Sequence, residues 1–318
     1  MKLASVLTPM SAENLQLAAQ CGVEGIVIRY PGSGLEELRQ QQQAIRHWGM
    51  EAMSVEGHLP IEQIKMGCDQ DGRELALMKE LIRNMGELEI PVLCYNFMAG
   101  TDWVRTTLDY PERGGAKVTA FSLADAKRAV SLSETTSAAD FGSITAERLW
   151  SNLTRFLEEL VPFAERCGVM LAMHPDDPPL PQFQGRERIM NSVAGFQRLL
   201  QVVSSPNNGI CFCVGTFAAM GVDIPTAIAT LGPHIRYVHF RDVRGAADSF
   251  VETFHDNGPT DMASVIRALR DVGFTGPLRP DHVPQLVGED DGAPGYTMLG
   301  RLFAFGYIRG LLHGTESA

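Results

Sequence analysis

The chain is predicted to fold as a closed (β/α)8 barrel, a TIM barrel, in one domain spanning residues 1–318, with a long excursion after the fourth strand. Three observations predict it. Eight short β-rich runs alternate strictly with eight helical patterns, and such alternation implies parallel strands joined by crossover helices. No linker or second composition regime divides the 318 residues, which favours one closed barrel over two domains. The rival doubly wound fold needs a G-x-G-x-x-G turn after an early strand, and YPGSGLEE (residues 30–37) lacks the third glycine.

The elements follow in order. LASVLT (3–8) is a strand and SAENLQLAAQCG (11–22) a helix stopped by Gly22. GIVIRY (25–30) is the second strand, with a helix over 34–49 that ends at Gly49. EAMSVE (51–56) is the third strand, residues 73–90 the third helix and PVLCYNF (91–97) the fourth strand. The spacing lapses over residues 99–141, read as a flexible surface insertion or a lid over a site, because a structureless loop of that length is rare unless functional. A long amphipathic helix (145–168) restores the rhythm before VMLAMH (169–174) and a helix over 193–203. GICFCVG (209–215), a helix at 223–232, IRYVHFRD (235–242) and a helix at 260–273 come next. GPLRPDHV (276–283) is the last strand and residues 296–312 the closing helix. The strands are rich in β-branched and aromatic residues and bounded by Gly and Pro.

Composition narrows the function. The mixture is 45% hydrophobic and 20% charged, ordinary for a globular protein. With 38 acidic against 27 basic residues the net charge is -11, which argues against nucleic acid or an anionic membrane as partner and leaves a small anion open. The six cysteines include no CxxC pair, no stretch approaches the length of a membrane span, and the N-terminus lacks an apolar signal core. A reducing cytoplasmic setting is expected.

In a barrel of this kind chemistry belongs at the C-terminal ends of the strands. Four consecutive strands deliver a metal-capable group near that end: His174 in AMHPDDPP, Cys213 in GICFCVG, His239 in YVHFRD and Asp281 in RPDHVP. Each alone reads as an ordinary core or loop residue; together they can converge on one divalent ion. Two imidazoles and a carboxylate suit Mn2+ or Zn2+, and the thiolate favours Zn2+ or Co2+. His282 adjoins Asp281 and reaches the substrate as an acid or base if the strand end breaks its alternation. Arg105 offers a guanidinium fork to a substrate carboxylate, and Arg241 or Arg244 in HFRDVRG could do the same. Glu56, Asn96 and Asp177 are further candidate substrate contacts, and Tyr296 begins the closing helix. The apolar last helix leaves a homo-oligomer open.

These blocks, CYNFMAGTDWVRTTLDY, LAMHPDDPP, NGICFCVGTF, YVHFRDVRG, FVETFHDNGPTDM and RPDHVP, resemble the mannonate dehydratases, metal-dependent barrels similar in fold to xylose isomerase. The resemblance implies dehydration of D-mannonate to 2-keto-3-deoxy-D-gluconate in hexuronate breakdown, with Mn2+ the usual metal and Zn2+, Co2+ or Fe2+ as other candidates. It implies the ligands His174, Cys213, His239 and Asp281, the acid/base residue His282 and the functional Tyr296. The chain departs from the family at VEGHLPIEQIK, where His58 is displaced and Ile61 stands near the expected histidine, and at Ala99-Gly100. The alternatives are a related sugar-acid dehydratase, a sugar isomerase or epimerase of the same barrel type, and a non-catalytic sugar-acid-binding protein.

Overall fold

The computed structural model describes residues 1–101, 103–132 and 142–315. Eight parallel strands close into a barrel: Lys2–Ser5, Gly25–Arg29, Glu51–Glu56, Val92–Tyr95, Met170–Met173, Asn208–Cys213, Ile235–Phe240 and Pro277–Pro280. Each pairs with its chain neighbours, and the last returns to the first through Lys2↔Pro277 and Leu3↔Leu278. We number these barrel strands one to eight.

Local chemistry sets the helix limits. In Ala146–Cys167 the Thr145 side chain accepts from the Arg148 N–H, and Gly168 ends the helix at φ 70°, a left-handed turn that glycine adopts without a Cβ clash. Leu149, Leu153, Phe156, Leu160 and Ala164 recur at helical spacing and face inward. Truncating one such leucine to alanine costs about 2–5 kcal/mol. Ser11 and Asp223 cap the helices Ala12–Gln20 and Ile224–Leu231 in the same way as Thr145. A short helix, Glu62–Met66, precedes Arg73–Glu87 and has no counterpart in the predicted alternation.

Two apolar regions result. The larger packs helices against the outside of the barrel through residues such as Ile28, Leu81, Leu157 and Ile266. The smaller fills its interior with Ala4, Val27, Met53, Cys94, Ala172, Cys211 and Tyr237. The interior is therefore packed, and the chemistry is confined to its mouth.

The excursion after strand four differs from the expected irregular insertion. Thr107–Pro111 and Lys117–Ser122 form an antiparallel pair. Lys117–Ser122 also pairs with Ser249–Glu252 through Phe121↔Phe250, and Val243–Ala246 completes a four-stranded sheet. Two distant excursions, after strands four and seven, thus meet over the barrel mouth. Phe121, Phe183, Leu180 and Phe250 form a small apolar cluster of their own there. KVTAFS and SFVE carry the β-branched and aromatic residues expected of strands. Asp102 and residues 133–141 of the excursion lie outside the described residues.

Candidate active site

His174 follows strand five, Cys213 ends strand six, His239 lies near the end of strand seven and Asp281 follows strand eight. Their potential ligand atoms all lie within 4.8 Å of one another, and all four residues are buried. The donor chemistry fits a divalent ion. His174 Nδ1 lies 2.7 Å from the Pro175 carbonyl oxygen, which can only accept, so Nδ1 carries the proton. Nε2 then presents a bare lone pair; it is buried with no hydrogen-bond partner. A backbone carbonyl holding the remote nitrogen is how ligating histidines are usually oriented.

The Cys213 thiol is set for ligation too. Burial opposes its ionisation, but the Arg241 guanidinium, foremost among the neighbouring charges, brings it down to about 5. Asp281 is held as a carboxylate well below its usual range: burial resists this, and His282, Arg279 and Arg241 outweigh it. Arg279 Nη1 donates to Asp281 Oδ1 (2.9 Å) and Arg241 Nε to Oδ2 (2.7 Å). Each carboxylate oxygen retains a second lone pair.

Beside this cluster sits an imidazole–phenol pair. His282 Nδ1 donates to Glu252 Oε1 at 2.6 Å, and Nε2 lies 3.1 Å from the Tyr296 hydroxyl. Burial alone would lower the His282 pKa; Glu252, with Tyr296 and Asp281, raises it to about 9. Tyr296 moves the opposite way, since burial is overcome by the positive charges of His282 and Arg29. Arg29 and Arg301 lie 4.6 and 5.2 Å from the Tyr296 ring centroid. Regular pairing stops at Pro280, so His282 escapes the alternation that would send it to the face opposite Asp281.

An ionic network supports both groups. Arg105 grips Asp177 with two bonds of 3.0 Å and reaches Glu252 at 2.6 Å. Arg241 joins Asp177 (2.8 Å), Glu252 (3.3 Å) and Asp281. Arg279 joins Glu56 (2.8 Å) and Asp281. Three guanidiniums and a protonated His282 thus face four carboxylates in a buried setting. Such pairs stabilise only when fully hydrogen-bonded, and removing one partner costs about 3–5 kcal/mol.

Several predicted substrate contacts occupy other places. Arg105 is completely buried with its fork committed to Asp177 and Glu252, so both Arg105 and Asp177 build the wall behind the site. Glu56 lines the cavity but accepts from Arg279, Tyr237 and, at 3.2 Å, His239. The Asn96 Oδ1 accepts from Lys65 Nζ and the Met98 N–H, both at 3.0 Å. Arg244 stands outside this network. It is exposed on the hairpin and ion-paired to Glu112, whereas Arg241, three residues earlier, enters the network.

Glu252, Arg279, Arg29 and Arg301 were not singled out from sequence. One signal was available: Arg279 stands two residues before Asp281, and a period of two places both on one face of a strand. The cavity itself is lined by Arg29, Glu56, Trp103, Arg279, Asp281 and Tyr296 among others.

The family model described as D-mannonate dehydratase (UxuA) matches residues 8–318. A mannonate dehydratase of Oceanobacillus iheyensis is 34% identical, over 89% of this chain and 86% of its own. One from Streptococcus equi subsp. zooepidemicus is 33% identical over 98% and 92%. The crystal structure of a mannonate dehydratase from Streptococcus suis superposes with a TM-score of 0.87 at 31% identity, covering 99% of this chain and 93% of that one. A D-psicose 3-epimerase from Clostridium cellulolyticum gives 0.64 at 14% identity, which speaks to the shared barrel alone.

Proposed function

The chain belongs to the D-mannonate dehydratase family, and from that premise we propose that it eliminates water from D-mannonate to give 2-keto-3-deoxy-D-gluconate. His174, Cys213, His239 and Asp281 hold one divalent ion in this reading, with Mn2+ the first choice. When bound, the ion supplies Lewis-acid polarisation of substrate oxygens and a template for their orientation.

The remaining steps fall to side chains. Arg29, at the cavity wall beside Tyr296, binds the substrate carboxylate. Tyr296, drawn toward its ionised form by His282 and Arg29, takes the C2 proton on its phenolic oxygen. His282, protonated at neutral pH because Glu252 holds Nδ1, gives its Nε2 proton to the departing C3 hydroxyl, which leaves as water. The resulting enol tautomerises to the 2-keto acid, so the substrate loses one water in all. Opposite pKa movements in two touching groups support this division of base and acid.

The observation that carries this reading is the 3.1 Å contact between His282 and Tyr296, beside a buried four-ligand cluster. Incubation with a panel of hexonates and divalent ions, read by mass, tests it. Loss of one water from D-mannonate is expected. A mass-neutral product would mean an isomerase or epimerase, and unchanged hexonates across the panel would mean a binding protein.

A further inference from the structure

A second group of donors lies deeper in the barrel. Cys94 on strand four and Cys211 on strand six point into the interior cluster, and their thiols with His239 lie within 4.8 Å of one another. Strand five separates them. Its Ala172 pairs with Cys94 on one side and with Gly209, two residues before Cys211, on the other. The small Ala172 side chain between them keeps the intervening strand from filling the space that the two sulfurs share.

The backbones forbid a disulfide. Two strand spacings of about 4.8 Å put the α-carbons roughly 9 Å apart, beyond the ~7 Å that a disulfide tolerates. A metal has the required reach: two bonds of about 2.3 Å span a sulfur–sulfur gap of roughly 3.8–4.6 Å.

We propose that Cys94, Cys211 and His239 form a second metal site for soft cations such as Zn2+ and Cd2+, and that filling it draws His239 away from the quartet above. The two sets differ in hardness. The upper has one sulfur beside a carboxylate and two imidazoles; the lower has two sulfurs and one imidazole, which selects thiophilic ions. His239 belongs to both, and an ion seated between the two lower sulfurs would pull its ring inward, away from the upper set. Cys94 and His239 also line the cavity at the barrel mouth, which gives an ion its route in. Only the effect on activity rests on the dehydratase reading.

The test uses Mn2+-loaded protein carrying Cys68→Ala, because Cys68 is an exposed thiol. Cd2+ is added stepwise, and X-ray absorption counts the sulfurs around cadmium while dehydration is assayed separately. The first equivalent is expected to show two sulfur ligands and to lower activity at least about 10-fold, as loss of a metal-site contact does. Cys94→Ala and Cys211→Ala should each remove the two-sulfur signature and restore activity in the presence of Cd2+. A one-sulfur shell in the parent overturns the site, as does a two-sulfur shell that survives both substitutions. A two-sulfur shell with undiminished activity overturns the competition. If either variant fails to fold, the sulfur count in the parent still decides. No activity before cadmium, with two sulfurs counted after it, would instead count against the dehydratase reading alone.

Discussion

Replacing Glu252 by glutamine removes the charge that keeps His282 protonated while preserving the shape of the side chain. In the native site His282 is raised from its ordinary 6.5 to about 9, equivalent to about 3 kcal/mol in favour of the imidazolium. Glu252 is the chief cause of that rise, through the 2.6 Å bond to Nδ1. Without its charge the chief raising cause is lost, and the pKa falls toward its ordinary 6.5 while Tyr296 and Asp281 still hold it up in part. At pH 8 the protonated fraction then falls from about 90% toward a limit of about 3%, so kcat/KM should drop by up to roughly 30-fold. The alkaline limb of the pH–rate profile should move from near 9 toward 6.5, and activity should recover as pH is lowered. The assay is kcat/KM for D-mannonate between pH 5.5 and 10, with metal content and far-UV circular dichroism measured on the same samples. A native alkaline limb in a folded, metal-loaded variant would refute the role given to His282. The sign for stability is the same: a raised folded pKa contributes stability present below about 6.5 and lost as pH rises through about 9.

Tyr296→Phe should lower kcat by about 100-fold or more while metal content stays unchanged; native turnover would remove Tyr296 as the base. Cys213→Ser exchanges a thiol drawn down to about 5 for a hydroxyl that stays protonated. Metal retained after dialysis should fall at least 10-fold in affinity, about the scale set by lesser metal-site changes, and more steeply for Zn2+ than for Mn2+. Full occupancy after dialysis would place the ion elsewhere. Arg105→Met strips Asp177 and Glu252 of a shared partner, and thermal unfolding should reveal a loss of about 3–5 kcal/mol. A melting temperature within a degree of native would show that Arg241 suffices for both acids.

Sequence reading reached the barrel and the four converging strand ends because both depend on local patterns. Glycine stops such as Gly168 and short apolar runs such as VLCY repeat along the chain, and His174, Cys213 and Asp281 each sit where a run ends. It fell short where partners are distant. Arg105 meets Asp177 and Glu252 across 72 and 147 residues, and no spacing rule links them. Arg241 and Arg244 looked interchangeable in HFRDVRG. Only the hairpin beginning at Val243 separates them, turning one into the site and the other to solvent. The bond from buried Lys65 to the Asn96 oxygen was also out of reach, because a buried cation is hard to foresee from sequence.

The sheet over the barrel mouth has a consequence for chain engineering. Its strand Lys117–Ser122 comes from one excursion and Ser249–Glu252 from the other. Arg105 leads into the first, and Glu252, the anchor of His282, closes the second. Neither excursion can therefore be grafted, shortened or replaced by a relative's without its counterpart. A chimera that exchanged only one should still close its barrel and still gather the four strand-end donors, yet leave His282 without a matched anchor. The two excursions form one inheritable module split across the chain, and they must be moved together.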